Sequence, residues 1–152
     1  MTISKGDRIP DVTLVKATPD GPEKVQSGDY FKGKKVALFS VPGAYTPTCS
    51  AKHLQGYVDK AADLKAKGVD EIACTAVNDA FVMGAWNNDA GSQDITMLAD
   101  GNGDFAEALG LTMDGSGGHV QLSCAFSDEG AAGAPCERLS SEPAHSPPRR
   151  ER

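Results

Sequence analysis

Between residues 68 and 137 the chain has no lysine and no arginine, while twelve acids fall in the same stretch for a net charge of −12. Residues 1–67 carry a net +4 and residues 138–152 a net +2, giving −6 for the whole chain. Aromatics are scarce at 6%, with a single Trp, and no basic stretch interleaves with them, which excludes the usual footprint of a nucleic-acid binder. No apolar run approaches the ~18 residues that a membrane-spanning helix needs. The first residues, Met1-Thr2-Ile3-Ser4-Lys5-Gly6-Asp7, lack a signal-peptide core and an Arg-rich transit pattern, so a cytoplasmic protein is expected. In such a reducing compartment the four cysteines, Cys49, Cys74, Cys124 and Cys136, read as buried or reactive thiols rather than a disulfide framework.

What is present is enough for one domain with a hydrophobic core: 152 residues, 39% hydrophobic and 24% charged. Residues 11–16 alternate, Thr18-Pro19-Asp20-Gly21 is a turn signal, and residues 23–27 return as the second strand of a hairpin. Three apolar strands follow, at 35–41, 71–77 and 95–99, separated by two helical stretches. That β-α-β-α-β order implies parallel pairing through right-handed crossovers, an α/β architecture. The first helix places Leu54, Tyr57, Val58, Ala61 and Leu64 on one face, with Thr46 as N-cap, Pro47 at the first helical position and Gly68 as its stop. Gly56 within it is expected to mark a bend. The second helix opens at Asn78 or Asp79 and shows Phe81, Val82, Ala85 and Trp86 on its core side; a short third one follows Asp104, with Phe105, Ala108 and Leu109. After Leu111 only Val120–Phe126 alternates like a strand, and the Gly-, Pro-, Ser- and Arg-rich remainder reads as a disordered tail. The expected division is a domain over 1–113 and a divergent tail over 114–152.

The chemistry concentrates in Val41-Pro42-Gly43-Ala44-Tyr45-Thr46-Pro47-Thr48-Cys49-Ser50, which joins a buried strand to an amphipathic helix. A cysteine in the first turn of a helix meets unpaired backbone N–H groups and the positive end of the helix dipole, which favour the thiolate. Thr46, one turn earlier, is placed to offer its hydroxyl to the sulfur, Pro42 to shield it from water, and the N–H groups of residues 48–49 to hold an oxygen atom. Cys74, mid-strand among apolar neighbours, reads as a core cysteine, and Trp86 and Phe81 as core aromatics. His53 reads as a surface or interface residue. Cys124, Cys136 and His145 lack the paired spacing of a zinc site, and the absence of C-x-x-C argues against a disulfide reductase of the thioredoxin type. No metal or organic cofactor is implied.

Pro42-x3-Thr46-x2-Cys49 matches the active-site pattern of peroxiredoxins. The longer run from Pro42 to Ser50, with His53-Leu54 after it, resembles the type II (type five) subfamily. Gly6-Asp7, Lys32-Gly33-Lys34, Val77-Asn78-Asp79-Ala80-Phe81-Val82-Met83 and Met97-Leu98-Ala99-Asp100-Gly101-Asn102-Gly103 extend the resemblance over about residues 3–113. It implies an elaborated thioredoxin-like fold, commonly dimeric. It makes Cys49 the peroxidatic cysteine, oxidised by hydrogen peroxide or alkyl hydroperoxides to a sulfenic acid and restored by thioredoxin or glutaredoxin. Family members continue past Gly110-Leu111 into a loop bearing an arginine that approaches the cysteine, then two antiparallel strands and a last helix. Here Asp114–Pro135 contains no arginine. The resemblance therefore implies that the C-terminal strands and helix are missing or replaced, that the strand over 35–41 loses a neighbour, and that the site loses a positive charge. Cys124 and Cys136 do not align with a family resolving cysteine. The competing expectation is a non-catalytic thioredoxin-like isoform or fragment that associates with a full-length homologue.

Overall fold

The computed structural model describes residues 2–47 and 49–112, and the backbone of Ala125–Asp128. Strands β1 (Thr13–Thr18) and β2 (Gly21–Gln26) form the expected hairpin, paired from Thr13↔Gln26 to Thr18↔Gly21, with Gly21 at φ +122°. Residues after it do not continue as strand. A one-turn helix α1 (Ser27–Phe31) forms instead, and the buried Ser27 hydroxyl donates to Pro10 O and accepts from Val12 N–H.

Strands β3 (Lys35–Ser40), β4 (Glu71–Ala76) and β5 (Ile95–Ala99) pair in parallel, as their buried apolar runs imply. The sheet has six strands in the order β2-β1-β5-β4-β3-β6, with β1 antiparallel to both β2 and β5. Because β3, β4 and β5 step across the sheet in one direction, right-handed crossovers put α2 (Gln55–Ala66) and α3 (Ala80–Asp89) on the same face. Strand alternation then divides the core. Ala37, Phe39, Ile72, Cys74, Ala76, Ile95 and Met97 meet Leu54, Ala61, Met83 and Trp86 on that side. Val36, Leu38, Ala73 and Leu98 meet Tyr30 and Phe31 of α1 and Phe105 of α4 (Asp104–Ala108) on the other.

Strand β6 (Ala125–Asp128) corrects one expectation. It pairs antiparallel with β3, from Lys35↔Asp128 to Leu38↔Ala125, so β3 has a neighbour on both sides, and the sheet takes in a segment from beyond residue 113. An open edge on β3 would leave a row of unpaired N–H and C=O groups, and the backbone of Ala125–Asp128 pairs with them. The expectations that a second C-terminal strand and a last helix are missing or replaced, and that a tail follows, fall on residues outside the described ones.

The helices follow their sequence signals with two adjustments. Leu54, just before α2, and Ala61 within it are buried and Tyr57, Val58 and Leu64 partly so, as the spacing predicts, and Tyr57 stacks on Phe39 at 3.9 Å between ring centroids and 4° between planes. Its end is a Schellman motif. Gly68, at φ +93°, donates its N–H to Lys65 O, Val69 N–H reaches Leu64 O, and Val69 and Leu64 both pack on the core. In α3, Asp79 is the N-cap, accepting from Val82 N–H, but the buried face is Ala80, Met83 and Trp86. Phe81 is 73% exposed, which corrects its reading as a core aromatic: the i, i+3, i+6 stripe leaves it on the solvent side. The same rule in α4 buries Ala106 rather than Ala108. Asp100 accepts from Phe105 N–H and Ala106 N–H and so caps that helix.

At the amino ends of the parallel strands, Glu71 binds three partners. The Tyr30 hydroxyl and the Thr96 hydroxyl each donate to Oε1 at 2.6 Å, and Lys34 Nζ lies 3.1 Å from Oε2 while sitting over the Tyr30 ring. Burial alone would raise the Glu71 pKa, but the hydrogen bonds from Thr96, Tyr30 and Lys34 outweigh it and hold the carboxyl below its usual range. Burial, reinforced by the Glu71 carboxylate, pushes the Tyr30 phenol well above its ordinary value.

Candidate active site

At the opposite, carboxyl end of the sheet, β3 runs into Val41, whose N–H donates to Thr75 O at 3.0 Å, with the Ser40 hydroxyl donating to the same carbonyl at 3.1 Å. These bonds prolong the register with β4 and fix where the chain leaves the sheet. Pro42 and Gly43 then turn it sharply; Pro42 is half-buried. Gly43 lies close against Thr46 and Asn78: a Cβ there would stand 3.6 Å from Thr46 Cγ2 and 3.8 Å from Asn78 Oδ1. Asn78 Oδ1 accepts the Ala44 N–H at 2.9 Å, tying the loop to the end of β4. Tyr45 adopts φ +63°, the left-handed region that a side chain disfavours. Its hydroxyl donates to Asp89 Oδ2 at 2.6 Å, and that bond raises the Tyr45 pKa.

Thr46 opens the helical segment as expected. Its carbonyl accepts from Ser50 N–H at 3.0 Å, whereas its hydroxyl donates back to Gly43 O at 2.9 Å. The proton of that hydroxyl is committed to Gly43 O, which leaves the oxygen's lone pairs to act as an acceptor. Pro47 occupies the first helical position.

Cys49 begins a π turn, Cys49–Leu54, that becomes α-helical only at Gln55. The irregularity thus falls at the cysteine and not at Gly56. Single π turns recur at functional sites, since the extra residue redirects side chains. Cys49 is a free thiol with 4% of its surface exposed, packed in the same apolar cluster as Val41 and Leu54. A reagent that reaches it without rearrangement is small. The N–H of residue 48, expected to help hold an oxygen, lies outside the described residues, as do Cys124, Cys136 and His145.

The structure thus gathers Pro42, Thr46 and Cys49 on one loop at the end of β3. Cys74 is buried in β4, as its mid-strand place among apolar neighbours implies. His53 is exposed. Sequence reasoning missed Asn78, Asp89 and Ser50. Trp86 is buried, as expected of a core residue, yet its indole N–H donates to Ser50 Oγ at 2.9 Å. Polar residues flanking a helix start give no sign of which loop they bind until the strands bring them together. Among the described residues no group of three or more His, Cys, Asp or Glu could hold a metal ion, and no helix is long and apolar enough to cross a membrane.

The Redoxin family model matches residues 4–126. Peroxiredoxin-2B of Arabidopsis thaliana is 46% identical over 116 residues, covering 74% of this chain and 70% of that protein. The chain belongs to the peroxiredoxin family. Peroxiredoxin-2E-2, chloroplastic, of Oryza sativa subsp. japonica is 52% identical over 117 residues, 74% of this chain and 52% of that protein. The chain therefore matches about half the length of that chloroplastic relative. Among solved structures, reduced Prx3 of Vibrio vulnificus in complex with hydrogen peroxide superposes with a TM-score of 0.80 at 44% identity, covering 93% of this chain and 92% of that one. Peroxiredoxin 5 of Alvinella pompejana gives a TM-score of 0.76 at 36% identity, covering 93% and 90%. These structures place the fold in the mixed α/β, thioredoxin-like class with the peroxiredoxin elaborations.

Proposed function

We propose that the protein is a thiol-dependent peroxidase with Cys49 as its nucleophile. The observation that carries this reading is the placement of a nearly buried free thiol at a helix start, on the loop that also bears Thr46 and Pro42. The Cys49 thiolate attacks one peroxide oxygen, a sulfur–oxygen bond forms, and the O–O bond breaks. The departing oxygen leaves as water or an alcohol after taking up a proton, and the sulfur is left as a sulfenic acid. Two electrons pass from sulfur to the peroxide, and a thiol donor returns them with loss of water. The Thr46 oxygen, its own proton held by Gly43 O, accepts a hydrogen bond from the peroxide hydroxyl and so orients it. Backbone N–H at the start of the turn stabilises the leaving oxygen, and Pro42 keeps bulk water from the sulfur. Hydrogen peroxide and small alkyl hydroperoxides suit a cysteine this closed. Thioredoxin or glutaredoxin as the reductant, a homodimer, and a cytoplasmic location belong to the same proposal. The named relatives support the chemistry; the Vibrio protein was captured with hydrogen peroxide.

Peroxide consumption with a thioredoxin or glutaredoxin reducing system tests the reading, paired with intact mass after a brief peroxide pulse. One oxygen added rapidly at Cys49, and lost in Cys49→Ser, supports it. Oxidation at Cys49 no faster than at Cys74 or Cys124 overturns it in favour of a non-catalytic member of the family.

A further inference from the structure

The segment from Asn78 to Asp89 touches the active-site loop at three points. Asn78 holds Ala44, Asp89 holds the strained Tyr45, and Trp86 holds Ser50, the residue directly after Cys49. The first two tether the loop before the cysteine; only the third reaches the turn that carries it. Trp86 is 1% exposed, so its N–H must find an acceptor inside the protein. Its acceptor is the hydroxyl of the Cys49 turn, beyond its own helix, at 2.9 Å. The indole is a rigid plate locked in the core beside α2, and its N–H is therefore a fixed point in space. The turn it meets is wound as π helix over Cys49–Leu54, a rare form that interrupts the regular α-helical hydrogen-bond ladder. Such a turn depends on outside contacts to hold its shape.

We propose that Trp86 is a positioning residue for Cys49, acting through its hydrogen bond to Ser50. The claim builds on the peroxidase reading and adds what aims the sulfur. In-line attack on an O–O bond needs the reacting atoms about 3–3.5 Å apart and aligned, a tolerance that a loosened turn exceeds. Ser50 is covalently adjacent to Cys49, so the indole sets the sulfur relative to Thr46 without touching it. A core role alone asks only for aromatic bulk, which Phe supplies; positioning asks for the N–H as well.

The test is a double-mutant cycle in the full chain: Trp86→Phe, Ser50→Ala and both together, with Ser50→Thr as the conservative control. The rate of Cys49 sulfenic acid formation is measured by rapid quench and mass spectrometry, and the indole N–H hydrogen bond of the Ser50 variants by ultraviolet resonance Raman. Each single variant is expected to lose about 5–10-fold in rate, the double variant no more than the worse single, and Ser50→Thr to regain both rate and Raman signature. Losses that multiply in the double variant overturn the proposal. So do single variants that react at the parent rate and only melt earlier. Ser50→Ala leaves the Trp86 ring in place, so it answers the question even if Trp86→Phe folds poorly. If the parent Cys49 does not react with peroxide at all, the peroxidase reading falls by itself. Alkylation of Cys49 by iodoacetamide then reads the same cycle, non-additive changes sustaining the positioning role and additive ones removing it.

Discussion

Thr46 and Asn78 show what a single side chain contributes at the end of β3. The Thr46 hydroxyl spends its proton on Gly43 O, which leaves a helix-start threonine with an oxygen that can only accept. Thr46→Val keeps the branched shape and removes the oxygen; kcat/KM for hydrogen peroxide should fall about 100-fold, with Thr46→Ser recovering most of it, in stopped-flow assays. Asn78 Oδ1 carries the Ala44 N–H, and without it that amide loses its partner in a half-buried loop. Asn78→Ala should cost about 1–2 kcal/mol in denaturant unfolding and slow peroxide attack, because the loop around the left-handed Tyr45 loses one of its tethers. Pro42, Thr46 and Cys49 stand out in the sequence through their likeness to the peroxiredoxin pattern. The role of Asn78 does not, because its partner lies 34 positions away and only the β3–β4 pairing makes them neighbours.

Helix ends, more than helix centres, decide how the elements meet. The Schellman end of α2 requires Gly68 at φ +93°, and the same turn delivers Val69 to the core and the chain into β4. Gly68→Ala should therefore destabilise by about 1 kcal/mol through backbone strain alone, read as a lower urea midpoint at unchanged slope. This stop was visible in the sequence, as were the three parallel strands; the start of α3 was narrowed to Asn78 or Asp79, and Asp79 proves to be the cap. The face of α3 was not visible. Phe81, Val82, Ala85 and Trp86 make a plausible apolar stripe, but the helix sits rotated so that Met83 faces β5 and β1 while Phe81 faces outward. Intrinsic pattern gives a helix its amphipathicity; the docking surface chooses among neighbouring stripes. The π turn at Cys49–Leu54 was equally hidden, since no residue type marks the extra residue in a turn.

At the scale of the whole molecule, the two ends of the sheet do different work. The amino end carries the Tyr30–Glu71–Lys34–Thr96 network, far from the cysteine and structural in character. Glu71 ionises more readily folded than unfolded, so its contribution is complete above the ordinary value of 4.5 and fades as pH falls through the depressed folded value. Thermal melts from pH 7 down to 3 should show that acid limb. Glu71→Gln should flatten it while lowering the melting temperature at pH 7 by about 2–4 °C, the equivalent of about 1 kcal/mol. The carboxyl end carries the reactive loop, where the sequence between Asp114 and Pro135 brings no arginine. An arginine hydrogen bond to a charged group is worth about 1.5–3 kcal/mol. Peroxide reduction should accordingly run one to two decades slower, roughly, than in a type II relative that has the arginine, measured side by side with one reductant.

Local chemistry determined the family, the candidate cysteine and the order of strands and helices. A Pro-x3-Thr-x2-Cys run after a buried strand needs nothing distant to be read, and alternation and caps act within a few residues. Tertiary structure decided the rest. It seated β6 against β3, because a central strand with free hydrogen-bonding groups takes whatever backbone can pair. It turned Phe81 outward, and it brought Asn78, Trp86 and Asp89 onto the cysteine loop from 34 to 44 positions away. Those contacts depend on how a crossover helix docks against the sheet, and no short stretch of sequence encodes that.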